Sequence, residues 1–272
     1  MTIPVLLCEH TLHSTVRRSF RHVCGVCGSY WDLESLAAEP VYDERYPAER
    51  GHFDPRVGAL KVRTLARWLR QGGVFLDSKV VCDVGFGGGP CLPWLVERTR
   101  RVCGIEANMS AIERVRATGC GAELLWTGAL PDRLEDPVDL WLFQDSFEHI
   151  PDPATFVDWM LGNSTSNAEI LIVLPRGDSV SQRLMGRLWP HKLPDHQFHW
   201  SRTGLLAFFE KRGFEPRAEF TPRKFASPEM VAGHLLHKLG AARHALAQIA
   251  GASFALPFNL GEMGFVLRRV AR

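Results

Sequence analysis

Short apolar runs alternate with segments of helical spacing through most of the chain. The runs Val80–Asp83, 102–106, 123–127, 138–144 and 169–174 are short and rich in branched residues, which is typical of strands buried on both faces. Helical spacing starts at Val57, ends at Gly72-Gly73, and returns from about Cys91 and over 110–118. This alternation predicts an α/β protein with a doubly wound, mostly parallel sheet and helices on both faces. A closing strand over 264–270 is expected to pair near 213–220.

The stretch around which the chain is organised joins the first of these strands to a helix. It reads V-V-C-D-V-G-F-G-G-G-P, and glycines there allow a ligand to lie directly against the backbone near the helix N-terminus. The dinucleotide spacing G-x-G-x-x-G fits poorly, because its third glycine falls on Pro90. Asp83 followed by Gly85, Gly87 and Gly89 resembles instead the first motif of class I S-adenosylmethionine-dependent methyltransferases. The resemblance implies a Rossmann-like methyltransferase fold that binds S-adenosylmethionine.

An acid at the end of the next strand supports this interpretation. Glu106, in C-G-I-E-A-N, lies about twenty residues after the glycine loop, where a carboxylate can accept both ribose hydroxyls. A helix N-cap is the structural alternative for such a residue. The resemblance places the cofactor beside Glu106, Ala107 and Thr127. Members of the family often have an acid near Thr127 to bind adenine, and this chain has Trp126 there, which core packing would also explain.

The fourth strand and its continuation, Q-D-S-F-E-H-I-P-D-P, resemble the small-molecule branch that includes the ubiquinone-pathway O-methyltransferases. Ligands bind at the carboxyl edge of open α/β sheets, so Gln144 and Asp145 are expected to face the methionine end of the cofactor. The same resemblance suggests two interpretations for Asp145, Glu148 and His149. They hold a divalent metal such as magnesium through oxygen ligands, or Glu148 and His149 brace the loop.

Methylation of a hydroxyl requires a base, and histidine is suited to that role. The candidates are His149, His196 and His199, each of which has a structural hydrogen-bonding role as its alternative. In the family, the segment 176–200 is expected to form a loop over the active site. Residues 228–250 have helical spacing and are expected to form a helical insertion that covers the substrate or an interface.

Cysteine and histidine residues cluster near the N-terminus, in a segment assigned to residues 1–50, ahead of a methyltransferase domain over 51–272. Cys24 and Cys27 form one C-x-x-C knuckle, and Cys8 with His10 or His13 forms an irregular second half. Tetrahedral zinc needs four such ligands, so zinc at Cys8, His10, Cys24 and Cys27 is one hypothesis. The alternative is a degenerate knuckle whose residues only pack.

Composition argues against some classes of binding partner but does not identify an acceptor. The 32 Lys and Arg residues nearly balance the 30 Asp and Glu residues, which gives no general electrostatic case for nucleic acid or a membrane surface. No apolar run approaches the ~18 residues of a membrane span, and a cytoplasmic enzyme is expected. The seven cysteines do not suggest a disulfide framework. The oligomeric state stays open.

Three functional hypotheses follow. The first is a methyltransferase that acts on the oxygen or nitrogen of a small molecule, in secondary metabolism. The second is an enzyme on the same scaffold that cleaves or cyclises the aminobutyryl group of S-adenosylmethionine. The third is a non-catalytic cofactor-binding module. The identity of the product distinguishes the first two, and failure to bind the cofactor would favour a non-catalytic module.

Overall fold

The computed structural model describes residues 7–10, 15–18, 21–33, 54–193, 195–226 and 255–270. The predicted helical insertion at 228–250 lies outside the described residues, as does His13. No helix in the described ranges is long and apolar enough to cross a membrane.

The strands, numbered along the chain, begin with three short ones ahead of the central sheet. They are β1 (Thr15–Arg18), β2 (Arg21–Cys24), β3 (Tyr30–Asp32), β4 (Val80–Val84), β5 (Arg101–Glu106), β6 (Glu123–Trp126), β7 (Val138–Gln144), β8 (Ser164–Pro175), β9 (Phe198–His199), β10 (Phe214–Phe220), β11 (Lys224–Ala226), β12 (Leu256–Phe258) and β13 (Glu262–Arg269).

The α-helices are α1 (Pro55–Gly72), α2 (Leu92–Val96), α3 (Met109–Ala117), α4 (Pro153–Gly162), α5 (Val180–Met185) and α6 (Arg202–Glu210). Local sequence sets the ends of α1. The Asp54 side chain accepts a hydrogen bond of 2.8 Å from the Arg56 N–H, and Pro55 occupies the first turn. Gly73, at φ 60°, ends the helix in the left-handed conformation that glycine adopts at little cost.

The central sheet has seven strands in the order β10-β13-β8-β7-β4-β5-β6. Strands β4 to β8 run parallel, and β13 pairs antiparallel with both β8 and β10. The predicted doubly wound, mostly parallel sheet is confirmed, including the closing strand and its pairing with the strand near 213–220. Strand β4 lies where the chain order reverses, which places the loops after β4, β5 and β7 along one edge.

Both faces of the sheet are covered. Successive residues of β4 pack on opposite sides, with Val80 and Cys82 in one hydrophobic cluster and Val81 in the other. In β7, Trp141 and Leu142 alternate in the same way, and both are fully buried. Because both faces are buried, these strands show continuous apolar runs rather than an alternating pattern.

A second sheet joins the N-terminal residues to the segment before α6, in the order β1-β2-β3-β9. Tyr30 pairs with His199 and Trp31 with Phe198 across β3 and β9. The backbone N–H of Asp32 extends this pairing with a hydrogen bond of 2.8 Å to the Gln197 carbonyl. Residues from the start of the chain therefore hold the histidine-containing end of the 176–200 segment.

Candidate functional site

The glycine loop after β4 has the backbone conformation that its sequence suggests. Gly85, Gly87 and Gly89 have φ values of 75°, 58° and 67°, which residues with a Cβ rarely adopt. Close packing adds a second constraint, because a Cβ on Gly85 would lie 2.5 Å from the Cβ of Ser146. The chain's own packing therefore requires glycine at position 85, independently of any ligand.

Asp83 ends the buried strand β4, with 1% of its surface exposed. The Gln144 amide donates a hydrogen bond of 3.0 Å to its Oδ1. Burial raises the pKa of Asp83 to about 6, although the Gln144 hydrogen bond and the positive charge of Lys61 act in the opposite direction. The carboxylate is thus costly to keep charged in this site, and a cationic ligand would offset that cost.

Glu106 braces the glycine loop from the end of β5. Its carboxylate accepts hydrogen bonds from the backbone N–H groups of Gly87 (2.7 Å), Ala107 (2.8 Å) and Asn108 (3.0 Å). The predicted cofactor residues Glu106, Ala107 and Gly87 are therefore neighbours. Two carboxylate oxygens offer about four acceptor positions, so capacity remains for a ligand hydroxyl.

Trp126 lies at the surface beside this loop rather than in the core. Its side chain is 41% exposed, and its indole N–H donates a hydrogen bond of 3.0 Å to the Ala107 carbonyl. The packing explanation for Trp126 is wrong, because β6 is the edge strand and leaves its last residues uncovered. Thr127 is also exposed, in a short 3₁₀ turn.

Asp145 follows β7 in the left-handed region, at φ 55°. A non-glycine residue held in this way costs free energy and often marks a functional position. Its side chain forms an ion pair of 2.8 Å with Lys224, which also lies 3.1 Å from Glu262. Burial lowers the pKa of Lys224, but the charges of Asp145 and Glu262 outweigh this and raise it. Lys224 was not predicted from the sequence, since nothing in its local pattern points to the sheet edge.

A cavity of about 330 Å³ opens between the glycine loop, the end of β7 and helix α1. It brings together the predicted residues Asp83, Gly85, Gly87, Gln144 and Asp145. The other lining residues are Val57, Leu60, Lys61, Thr64, Trp68, Phe86, Pro90, Cys91, Lys224 and Phe225. That α1 forms a wall of this cavity was not predicted from the sequence. The available signal was the amphipathic spacing of the helix.

The three candidate histidines form a cluster of their own. The rings of His149 and His196 are 4.7 Å apart, and those of His196 and His199 are 6.3 Å apart. Burial lowers the pKa of His199 to about 3 and that of His196 well below its usual value, with neighbouring positive charge adding to both effects. Among the described residues that line the cavity, none is one of these histidines.

Glu148 is buried within this cluster. Both of its carboxylate oxygens lack a hydrogen-bond partner among the described residues, and burial raises its pKa well above the usual value. Ligand atoms of Glu148, His149 and His196 lie within 4.8 Å of one another. The grouping suggested by sequence, Asp145 with Glu148 and His149, differs from this one, and Asp145 forms its ion pair with Lys224 instead. A group with two imidazoles favours a transition metal over magnesium.

The N-terminal candidates also come together. Ligand atoms of Cys8, His10, Cys24 and Cys27 lie within 4.8 Å of one another. The three thiols are buried, and His10 is half-buried. The arrangement offers the four ligands that a tetrahedral metal site requires.

Comparison with known protein families identifies one match. A family model described as a methyltransferase domain matches residues 51–219, which is more than half of the chain. No curated protein matches the sequence.

Solved structures show the same fold at low sequence identity. The chain is similar to a putative methyltransferase from Bacillus halodurans (TM-score 0.55, 16% identity, 76% of this chain and 99% of that one). It is also similar to the structure of a complex between the Trm112 methyltransferase activator of Haloferax volcanii and a putative methyltransferase. The TM-score is 0.57 at 13% identity, and the match covers 86% of this chain and 100% of that one. A third is the plantazolicin methyltransferase BpumL in complex with a pentazolic desmethylPZN analogue and S-adenosylhomocysteine. Its TM-score is 0.50 at 13% identity, and the match covers 84% of this chain and 91% of that one.

Proposed function

The chain belongs to the methyltransferase-domain family and is a class I S-adenosylmethionine-dependent methyltransferase, and on that premise we propose that it methylates an oxygen or nitrogen of a small-molecule acceptor. The observation that carries the proposal is the cavity at the glycine loop, which is about 330 Å³ in volume and enclosed by α1 and the segment around Phe225. The methyl group of the cofactor would be presented inside this cavity, so only a small group of the acceptor could reach it. The near balance of 32 basic and 30 acidic residues is consistent with an acceptor that is not a polyanion.

The charges in the cavity match the methionyl end of S-adenosylmethionine, which carries an ammonium and a carboxylate. Asp83 and Asp145 supply negative charge, and Lys61 and Lys224 supply positive charge. Because these groups are opposite in sign and line one cavity, they favour a zwitterion over an ion of one sign. We place the methionyl group in this cavity.

The adenosine end is placed along the neighbouring loops. Glu106 would accept a hydrogen bond from a ribose hydroxyl, and Ala107 and Thr127 would lie against the adenine. The exposed indole of Trp126 offers an apolar face at this position, where no carboxylate is present among the described residues of the turn. Bound S-adenosylmethionine would supply the electrophilic methyl group.

This chain's residues would contribute mainly alignment and exclusion of water. Methyl transfer is an in-line displacement, whose rate depends on the orientation of the acceptor atom, the methyl carbon and the leaving sulfur. A base works best when its pKa is near the working pH. The lowered pKa values of His196 and His199 make both weak bases. We therefore assign proton removal to His149, whose Nδ1 donates a hydrogen bond of 3.1 Å to the Asp195 carbonyl. His149 is not among the described residues that line the cavity, so the acceptor would extend from the cavity to the histidine cluster.

The role of His149 is tested by the pH profile of methyl transfer. We expect the rate of the unmodified enzyme with a hydroxyl acceptor to fall at acidic pH, because a protonated imidazole cannot accept a proton. His149→Gln is expected to lose this step while binding S-adenosylhomocysteine with unchanged affinity. An unaltered profile in His149→Gln would assign the base to another group.

The acceptor class is tested with S-adenosylmethionine labelled in its methyl group and a cell extract separated by size. We expect label to appear in a small molecule other than S-adenosylmethionine and methylthioadenosine, with heat-inactivated protein as the control. Label that enters protein or nucleic acid instead would contradict the proposal. Label found in methylthioadenosine, which keeps the methyl group on its sulfur, would favour cleavage of the cofactor, and label that stays in S-adenosylmethionine would favour a binding module.

A further inference from the structure

The Cys8, His10, Cys24 and Cys27 group has no role in the proposed reaction, yet its geometry is specific. All four ligand atoms lie within 4.8 Å of one another, as ligands around one tetrahedral ion do. The Nδ1 atom of His10 is buried and has no hydrogen-bond partner among the described residues. Buried polar atoms are usually satisfied, so this nitrogen indicates a missing partner. The cysteines form no disulfide.

The turn between Cys24 and Ser29 has the backbone arrangement of a metal-binding knuckle. The Gly28 N–H donates to the Cys24 carbonyl (2.9 Å), and Gly28 has φ 79° with no atom near the position of a Cβ. The Ser29 N–H points at the Cys27 sulfur, at 3.5 Å. A backbone donor at this distance favours a thiolate, the form in which cysteine binds zinc.

The same turn is connected directly to the histidine cluster. Strand β3 follows the turn, and its Tyr30 ring stacks on His199 with centroids 4.8 Å apart. Ser29 accepts a hydrogen bond of 3.0 Å from the Ser201 N–H, at the N-cap of α6. Beside the first two ligands, Glu9 forms ion pairs with Lys211 and Arg212 at the end of α6. Residues adjacent to the ligands thus hold both ends of one helix.

We propose that Cys8, His10, Cys24 and Cys27 bind one Zn²⁺ ion, and that this ion fixes β3 against β9 and so positions the histidine side of the active site. Four protein ligands fill a tetrahedral shell, so the site is structural rather than catalytic. The metal joins two segments that are separated in sequence, Cys8 and the Cys24–Cys27 turn. Without the metal, the sheet that supports His199 would lose this cross-link.

Metal content of the purified full-length protein tests the site. We expect about one zinc per chain, and loss of most of it in His10→Ala and in Cys24→Ser. His10→Cys keeps four ligands and is expected to retain the metal, which separates loss of a ligand from general misfolding. Cys120→Ser, outside the cluster, is the matched control. Metal-free native protein, or full occupancy in both His10→Ala and Cys24→Ser, would overturn the proposal.

The coupling to the active site is tested by hydrogen exchange after removal of zinc with a chelator. We expect the amides of 198–204 to exchange at least about tenfold faster, because local opening follows loss of the support from β3. The amides of β4, in the central sheet, are expected to be unchanged. Equal exchange of 198–204 with and without bound zinc would show that the metal does not position this segment. Addition of zinc should restore protection.

Discussion

Asp83→Asn is expected to remove the pH dependence of cofactor binding. The pKa of Asp83 is raised to about 6 by burial, so part of the unliganded protein carries a neutral carboxyl group in mildly acidic solution. The cofactor's ammonium group favours the charged form. The affinity of the unmodified protein for S-adenosylhomocysteine should therefore increase with pH and level off above about 6, with binding about tenfold weaker at about pH 5 than on the plateau.

Calorimetric titrations across this pH range provide the measurement. The amide introduced by Asp83→Asn cannot ionise, so the variant should bind weakly, with little change between about pH 5 and about pH 8. Asp77→Asn, on the loop before β4, is the matched control and should behave like the unmodified protein. The groups that act on Asp83 are Lys61, Gln144 and Glu106, and all three remain in both variants. A pH dependence that survives in Asp83→Asn would remove Asp83 from the binding site.

The same substitution is not expected to unfold the protein. A carboxyl group whose pKa is raised above its unfolded value of 3.8 contributes stability at low pH, which is lost as pH rises through about 6. The difference of about two pH units corresponds to about 3 kcal/mol at neutral pH. Asp83→Asn removes this buried charge and with it the cost to folding stability. Weak binding by the variant would therefore reflect a loss at the cofactor site and not unfolding.

Glu106→Ala is expected to weaken binding of S-adenosylhomocysteine by about 1 to 3 kcal/mol, the range for hydrogen bonds to a charged group. Two effects contribute: a ribose hydroxyl loses its acceptor, and the Gly87 N–H loses the bond of 2.7 Å that holds the glycine loop. Calorimetry at neutral pH measures the loss directly.

Two further variants separate these local effects from a general loss of folded structure. Glu106→Gln keeps an acceptor oxygen without the charge and should have an intermediate affinity. Glu113→Ala changes an exposed acid on the following helix α3 and should leave the affinity unchanged. An unaltered affinity in Glu106→Ala would remove this carboxylate from the cofactor site.

Local sequence patterns were sufficient to predict the central sheet and the side of the site formed by the glycine loop and Glu106. The apolar run of β4 and the glycines after it are contiguous, and Glu106 follows at the end of the next strand, so their proximity depends only on parallel strand pairing. The confirmed fold follows from the same alternation of strands and helices.

The remaining side of the site depends on contacts between distant segments. Lys224 reaches Asp145 from a strand that is 79 residues away in sequence, and no spacing rule connects them. Glu148 and His149 likewise group with His196, which is about fifty residues further along the chain, and not with Asp145. The pairing of β3 with β9 similarly joins Tyr30 to His199, and no pattern in either short strand indicates its partner.

The most direct test of the central claim is the identity of the nucleoside product formed from S-adenosylmethionine. Purified protein is incubated with the cofactor and a small-molecule extract, and the nucleosides are measured by mass spectrometry. We expect S-adenosylhomocysteine above the no-protein control, with a reduced amount in Glu106→Ala at subsaturating cofactor and an unchanged amount in Glu113→Ala. Methylthioadenosine in its place, or equal S-adenosylhomocysteine from Glu106→Ala, would contradict methyl transfer at this site.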